Sequence, residues 1–298
     1  MLNDSELNIP SGRVKIRDLV ELSRPLNGVL AFASVWAGAY MSGGPISIRS
    51  TFLVATAAVL ALSAGNSLND YCDIKIDQIN KPERPIPSGR ISRSQALLFS
   101  ILLLGLSVMI GFQVNLGSLI TIVSVCWLLS IYAFWLKRLP LIGNLVVGIL
   151  TALTFVAGGI ANEVIQGTLP LSVFAFLFTT AREIVKDIED QVGDQAGFAK
   201  TLPLTLGEKS AVWVVLFLIA SGVAFSPIPY LIYGYSGLYL FIMIFGVDLV
   251  MVFLGVRLFL KPSQSNCAMI QKWMKWNIFV GLLAVCLGKP SRLLPVGV

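Results

Sequence analysis

Residues 50–77 read STFLVATAAVLALSAGNSLNDYCDIKID, an apolar run followed by a row of acidic residues. Its first part, residues 50–69, contains no charged side chain and is long enough to cross a hydrocarbon layer of ~30 Å as a helix. Asn69, Asp73 and Asp77 follow at a spacing of four, which places them on one face of a continued helix. The stretch predicts a membrane-spanning helix that carries a row of oxygen ligands to the membrane surface.

The composition supports a membrane protein. Of the 298 residues, 56% are hydrophobic and 13% are charged, against roughly 45–50% and about 25% in soluble domains. This excludes a disordered chain, a small disulfide scaffold and most soluble enzymes. The chain has no histidine, which excludes haem ligation by imidazole, most zinc sites and nucleophiles that depend on histidine. Catalysis must then use carboxylates, basic residues, tyrosine or a hard metal ion.

The apolar runs predict an all-α, multi-pass membrane protein with nine transmembrane helices around a central cavity and a cap on the cytoplasmic side. We expect one domain over residues 1–298, with residues 1–22 as an interfacial segment because apolar residues recur there at helical spacing. The predicted spans are 25–43, 50–69, 94–114, 117–136, 141–162, 169–186, 210–231, 237–260 and 268–288.

The charges predict the orientation. With nine spans, 19 of the 22 basic residues and 14 of the 16 acidic residues fall on the side of the amino terminus. Because lysine and arginine are retained in the cytoplasm, this side faces the cytoplasm of a cell membrane. Two long polar connections on that side, residues 70–93 and 187–209, are the predicted active-site connections.

Two acidic segments lie in these connections. The first acidic segment, residues 66–77, adds Asn66 and Asp70 to the three residues above. The second acidic segment, residues 183–194, contains Glu183, Asp187, Asp190 and Asp194, again on one helical face. Asp73 and Asp187 are 114 positions apart, which indicates a weak internal duplication.

A solvated helix face is the ordinary explanation of such acidic rows, but like charges four residues apart repel. A divalent cation removes that repulsion, and ligands that are all oxygen favour Mg²⁺, which binds one or two carboxylates together with substrate phosphates. We expect Mg²⁺ to be held by Asn69, Asp73, Asp77, Asp187, Asp190 and Asp194. Basic residues that would bind the diphosphate are Lys81, Arg84, Arg90 and Lys200.

The two acidic segments resemble the paired aspartate motifs of the UbiA superfamily of intramembrane prenyltransferases. Within it, the stretches Arg24-Pro-Leu-Asn27, Arg84-Pro-Ile-Pro-Ser-Gly-Arg90 and Leu136-Lys-Arg-Leu-Pro-Leu-Ile-Gly143 are similar to the archaeal digeranylgeranylglyceryl phosphate synthases. Many quinone-pathway members carry Tyr-x-x-x-Lys in helix four, whereas Tyr132 and Lys137 are five apart, which argues mildly against an aromatic acceptor.

The resemblance implies Mg²⁺-dependent transfer of a geranylgeranyl group from geranylgeranyl diphosphate to geranylgeranylglyceryl phosphate, forming an ether bond. It implies a prenyl diphosphate and a lipid-like acceptor as ligands and membrane lipid as surroundings. Nucleic acid and an obligate protein partner are not expected. A phosphorylated acceptor needs a second cationic spot, for which the candidates are Arg24, Lys137 and Arg138. The alternatives are an aromatic or chlorin acceptor and, in another class, an ion-coupled transporter.

An apolar cavity must then keep the allylic cation away from water. Its candidate aromatic walls are Phe32, Trp36, Phe134, Phe155 and Phe174. Polar candidates for the cavity are Asn66, Asp70, Tyr132, Asn144 and Glu183. Asp248 lies in the middle of a predicted span, is not assigned to the site, and is the one residue that favours a transporter.

Overall fold

The computed structural model describes residues 15–196 and 199–288, and within these ranges the regular structure is helical, without strands. The helices are α1 Ile16–Ser23, α2 Pro25–Met41, α3 Ile48–Cys72, α4 Ile74–Asn80, α5 Arg93–Gly111, α6 Leu116–Phe134, α7 Ile142–Ile160, α8 Leu169–Glu189, α9 Gln191–Ala196, α10 Leu202–Leu206, α11 Glu208–Phe225, α12 Ile228–Tyr233, α13 Gly237–Ile242, α14 Leu249–Leu260 and α15 Gln264–Gly288. A π-helical segment, Met243–Asp248, joins α13 to α14.

Seven helical stretches in the described ranges are long and apolar enough to cross a membrane. They are Ile48–Cys72, Arg93–Gly111, Leu116–Phe134, Ile142–Ile160, Gln166–Glu189, Glu208–Tyr233 and Gly237–Leu260. The other two predicted spans correspond to α2, which has only 17 residues, and to α15, whose first half is polar. The seven stretches confirm a multi-pass membrane protein.

The short helix α1 is amphipathic and lies against the loop that follows α4. Leu22 is fully buried and packs with Ile74, Ile86 and Ile91, whereas Ile16 is 80% exposed. This arrangement fits the interfacial segment predicted from the sequence for residues 15–22. Residues 1–14 of that predicted segment lie outside the described residues.

Helices α2 and α7 cross at two glycines. A Cβ at Gly38 would lie 1.9 Å from the carbonyl oxygen of Phe155, and a Cβ at Gly158 would lie 2.0 Å from that of Val35. The two backbones therefore approach as closely as small residues permit, as is common between membrane helices. This crossing fixes one wall of the central cavity.

Both acidic segments bend at an aspartate. The backbone of Asp73 (φ −99°, ψ 12°) separates α3 from α4, and that of Asp190 (φ −91°, ψ 7°) separates α8 from α9. The expectation of one continued helix face is therefore wrong for each segment. By its position at the bend, Asp73 corresponds to Asp190, whereas the predicted duplication matched Asp73 with Asp187.

The two short helices after the bends, α4 and α9, pack against each other. Asn80 donates a hydrogen bond to the carbonyl of Asp190 at 3.2 Å. A Cβ at Gly193 would lie 2.2 Å from the Asn80 side chain, so only glycine permits this approach. The contact brings the carboxyl ends of α3 and α8, and with them both acidic segments, to the same end of the helix bundle.

Candidate active site

A cavity of about 620 Å³ lies between α2, α3, α6, α7, α8 and α15. Most of its wall is aliphatic or aromatic. Its polar side chains come largely from the ends of α2, α3 and α8 and the first half of α15, which meet beside the two acidic segments. They include Arg24, Asn27, Asn66, Asn69, Tyr132, Arg182, Glu183, Lys186, Gln271, Lys272 and Lys275. The cavity thus suits a ligand with an apolar body and an anionic head.

The aromatic walls differ in part from those predicted. Phe155 and Phe174 line the cavity, as do Phe178 and Trp276, which were not predicted. The assignments of Phe32, Trp36 and Phe134 are wrong. Phe32 and Trp36 are not part of the cavity lining; they pack with Val35 and Ala55, and Phe32 makes an edge-to-face contact with Phe52. Phe134 is exposed and lies against Trp135. Helical period alone does not reveal which face of an apolar helix meets the lumen and which meets lipid.

The first acidic segment is held by two arginines. Arg84 binds Asp77 at 2.7 Å and Asp70 at 3.2 Å, and Arg24 also binds Asp70. Asp70 and Asp77 are both buried, and burial raises the pKa of the Asp77 carboxyl although Arg84 is beside it. Asn66 donates to the carbonyl of Ser23 at 3.0 Å. The ion pairs of Arg84 with Asp70 and Asp77 therefore stabilise the conformation of this segment.

Three acidic side chains of the second acidic segment also have polar partners. Lys81 lies 3.2 Å from Asp190, and Asn144 donates to Asp187 at 2.8 Å. Glu183 binds Arg182 and lies 3.6 Å from Lys186. Because Lys81 follows α4 and Asp190 follows α8, the first ion pair links the end of α4 to the second acidic segment.

Asp73, Asp190 and Asp194 lie near each other, beside the ion pair between Lys81 and Asp190. Asp73 and Asp190 are both charged neighbours of Asp194. Burial, and after it the negative charge of Asp190, raises the pKa of the Asp194 carboxyl to about 7. Concentrating carboxylates in this way is unfavourable unless cations balance them. Lys137 supplies part of the balance, since its Nζ lies 2.6 Å from Asp73 Oδ1 as an ion pair without hydrogen-bond alignment.

The donor set fits a magnesium ion that is completed by phosphate. No three His, Cys, Asp or Glu side chains within residues 15–196 and 199–288 form a metal site by themselves. Mg²⁺ commonly takes only one or two carboxylates and receives its other ligands from water and substrate phosphates. Asn69 Oδ1 and Asp73 Oδ1 are buried and accept no hydrogen bond from the described residues. Asn69 Oδ1 has no donor, and Asp73 Oδ1 has only the unaligned ammonium group of Lys137, so these two buried oxygens match that requirement.

Arg90, a predicted phosphate ligand, is bound to other partners. It binds Asp18 at 2.6 Å, Glu21 at 2.7 Å and the Glu83 carbonyl at 2.6 Å, and it lowers the pKa of Glu21. Lys200 and Arg138 are exposed and, like Lys81, are not part of the cavity lining, so their role as phosphate ligands stays a prediction. The assignment of Arg90 to the diphosphate is corrected, because its guanidinium fastens α1 to the loop after α4.

We expect Arg90→Ala to loosen α1 without removing a cavity residue. The substitution leaves the buried Asp18 without its cation, which costs about 1–3 kcal/mol. Trypsin should then cleave faster at Arg17 in α1, and the melting temperature should fall by a few degrees. Arg49 is exposed and forms no ion pair within the part of the chain that the structure describes, so Arg49→Ala is the matched control. Equal trypsin sensitivity of the two variants would contradict the assignment.

Sequence reasoning missed several cavity residues. Asn27 lies on α2, and Gln271, Lys272 and Lys275 lie on α15, where no acidic motif drew attention to them. A signal was present, because Gln271, Lys272 and Lys275 are spaced at one and three residues, which places them on one face of a helix. Lys186 also lines the cavity although it lies off the acidic row.

Asp248 does not reach the cavity. It accepts a hydrogen bond from the Ser226 hydroxyl at 2.6 Å, and the Ser226 carbonyl accepts one from Tyr239 at 2.9 Å. The π-helical segment containing Asp248 instead presents Met243 and Val247 to the cavity. Pairing with Ser226 explains how a carboxyl group is tolerated in this span.

The chain is an all-helical membrane protein whose apolar cavity ends between two facing acidic segments. This arrangement is typical of proteins that act on amphipathic molecules within the bilayer. The UbiA prenyltransferase family profile matches residues 30–279. The chain therefore belongs to the UbiA prenyltransferase family.

Curated relatives and solved structures agree with this membership. The chain is 37% identical to digeranylgeranylglyceryl phosphate synthase of Methanosphaera stadtmanae, over 90% of this chain and 98% of the relative. It is 38% identical to the synthase of Methanothermobacter thermautotrophicus, over 90% and 95%. A solved structure described as digeranylgeranylglyceryl phosphate synthase in membranes gives a TM-score of 0.74 at 32% identity, over 92% and 98%. A UbiA homolog from Archaeoglobus fulgidus bound to GPP and Mg²⁺ shares the fold at 16% identity, with a TM-score of 0.66 over 90% and 99%.

Proposed function

We propose that this prenyltransferase moves a geranylgeranyl group from geranylgeranyl diphosphate to geranylgeranylglyceryl phosphate, with Mg²⁺ as cofactor. The observation that carries the proposal is the apolar cavity that ends between the two acidic segments. The curated relatives named as digeranylgeranylglyceryl phosphate synthases, at 37% and 38% identity, support this choice of donor and acceptor.

The donor diphosphate binds at the acidic segments in this proposal. Asn69, Asp73, Asp190 and Asp194 would hold Mg²⁺, which neutralises charge that develops on the leaving diphosphate. Lys81, already beside Asp190, would donate to phosphate oxygens. Because these groups are fixed before the ligand arrives, little reorganisation is needed when negative charge develops.

The cavity wall surrounds the prenyl group while it reacts with the acceptor. As the carbon–oxygen bond to diphosphate breaks, the prenyl group becomes an allylic cation, and the acceptor hydroxyl oxygen then bonds to it and loses its proton. Phe155, Phe174 and Phe178 line the cavity and exclude water from that cation. Aromatic faces also attract cations. With no histidine in the chain, an aspartate or the released diphosphate takes the proton.

For the membrane topology, we infer that α2 and α15 cross the membrane together with the seven long apolar stretches. This gives nine spans in one domain over residues 1–298. The excess of lysine and arginine at the end that carries the acidic segments supports a cytoplasmic active site in the cell membrane. Helices α4 and α9, which pack together at that end, would form the predicted cap.

A transporter is the alternative class, and the structure gives it little support. Asp248 is hydrogen-bonded to Ser226 and does not line the cavity. The charged residues of the cavity lie at one end, whereas transporter sites lie near the midplane.

The decisive experiment uses purified protein in phospholipid vesicles with geranylgeranyl diphosphate and Mg²⁺. The acceptor is either geranylgeranylglyceryl phosphate or an aromatic quinone precursor, and products are identified by mass. We expect ether product only with the first acceptor, together with an equal amount of diphosphate, and no product after chelation of Mg²⁺. Product formed only with the aromatic acceptor would replace the proposed acceptor, and absence of diphosphate release would defeat the proposal.

A further inference from the structure

Helix α15 adds basic residues to the charged end of the cavity. The acidic segments at this end have carboxylates that are paired with arginines and lysines. Beside them, α15 contributes Gln271, Lys272 and Lys275 and contains no acidic residue. Gln271 hydrogen-bonds with Glu189, and Lys275 lies near Arg182 and Glu183, so this cationic surface adjoins the second acidic segment.

Lys275 is positioned by a neutral partner. Its Nζ donates a hydrogen bond to Asn27 Oδ1 on α2, and it is half-buried. Its charged neighbours are Arg24, Arg182 and Glu183, so two of the three are cations. An amide oxygen satisfies one of the three N–H donors of the ammonium group and leaves the positive charge unbalanced.

The side chains that line the cavity carry more positive than negative charge. Five cations line the cavity, Arg24, Arg182, Lys186, Lys272 and Lys275, against the single carboxylate of Glu183. Arg24 is already paired with Asp70, and Glu183 with Arg182 and Lys186. In the ranges that the structure describes, no carboxylate forms an ion pair with Lys272 or Lys275. Lys275 is half-buried at the edge of the apolar cavity, so its charge is incompletely solvated until an anion joins it, whereas Lys272 is exposed.

The rest of the α15 surface indicates what kind of anion this is. One helical face carries Lys275 and then Ile278, Leu282 and Val285, all of which line the cavity. A ligand along this face meets cations at its head and aliphatic side chains along its tail. This is the pattern of a phosphorylated lipid.

We propose that Lys275, with Lys272 and Arg182 beside it, binds the phosphate of the acceptor lipid at the α15 wall of the cavity. This assignment rests on the proposed function and specifies its acceptor subsite. It replaces Lys137 and Arg138 as phosphate ligands, since neither of them lines the cavity and Lys137 is paired with Asp73. The tails of the donor and the acceptor then share the apolar cavity.

The test measures binding separately from turnover. Purified wild type, Lys275→Gln and Lys275→Arg are heated with geranylgeranylglyceryl phosphate or with unphosphorylated geranylgeranylglycerol, and the dissociation constants are obtained from the shift in melting temperature. Lys209→Gln is the matched control, because Lys209 is exposed and does not line the cavity. We expect wild type, Lys275→Arg and Lys209→Gln to prefer the phosphorylated lipid at least about tenfold, and Lys275→Gln to lose that preference.

The outcomes separate the two proposals. A wild type without preference, or a Lys275→Gln variant that keeps it, overturns the acceptor subsite. If Lys275→Gln loses the preference while wild type forms no ether product from donor and acceptor, the subsite stands and the proposed function fails. In a turnover assay, Lys275→Gln should raise the KM for the phosphorylated acceptor about tenfold and leave the KM for the donor unchanged; an equal rise in both would contradict the subsite.

Discussion

Asp73→Asn should lower kcat/KM for prenyl transfer by at least about 100-fold, with the protein still folded. The carboxylate of Asp73 lies at the bend between α3 and α4, and its Oδ1 is buried, with the ammonium group of Lys137 at 2.6 Å as its ion-pair partner. An amide keeps the size of the side chain but removes the negative charge that a Mg²⁺–diphosphate complex needs. Loss of one preorganised electrostatic contact at a reacting centre typically costs 10²–10³-fold in rate.

The assay for this variant measures ether product formation at several concentrations of Mg²⁺ and donor. Glu163→Gln is the matched control, since Glu163 is exposed and does not line the cavity. We expect the control to retain wild-type activity and both proteins to melt within a few degrees of wild type. Activity of Asp73→Asn within tenfold of wild type would remove Asp73 from the reacting site.

Gly38→Ala should destabilise the whole protein, because its added methyl group meets backbone. The new Cβ would lie 1.9 Å from the carbonyl oxygen of Phe155, so α2 and α7 must separate. Overpacking of this kind costs about 1–3 kcal/mol, which lowers the melting temperature by roughly 2–10 °C. Since Ala31 on α2 and Phe155 on α7 both line the cavity, the KM for the prenyl donor should rise as well.

Gly105→Ala is the control for this prediction. Gly105 lies within α5, and a Cβ built there meets no atom within 4 Å. Alanine favours the helix over glycine by about 1 kcal/mol, so the melting temperature should stay the same or rise slightly. A Gly38→Ala variant that melts with the control would show that α2 and α7 can move apart without cost.

Much of the fold could be predicted from hydropathy, because each crossing requires about 20 apolar residues and the chain contains few other apolar runs. The bends at Asp73 and Asp190 could not be predicted. Their side-chain spacing is that of a regular helix, and at Asp73 even the backbone hydrogen bonds to Asn69 and from Asp77 persist through the bend. What changes is ψ at one residue, which packing between α4 and α9 stabilises.

Part of the candidate site could likewise be predicted from the sequence, and part of it could not. Asn69, Asp73, Asp190 and Asp194 are recognisable from spacing, since repeated like charges at one helix face demand an explanation. Arg90 has the residue type of a phosphate ligand, but its partner Asp18 lies 72 positions away in the chain. Lys275 is recognised only once α15 is seen to face the cavity. Residue type and local spacing do not specify which distant surface a long basic side chain reaches.

The ion pairs within the acidic segments also determine how strongly the site attracts its ligand from a distance. Lys81 on Asp190, Lys137 on Asp73 and Arg84 on Asp77 leave this region close to neutral before any ligand binds. A prenyl diphosphate accompanied by one divalent cation keeps only a small negative charge, so binding is largely an exchange of partners with a small change in net charge. Donor affinity should therefore depend only weakly on ionic strength. Selection of the donor then results from fit within the bilayer, and electrostatic steering of anions from bulk water contributes little.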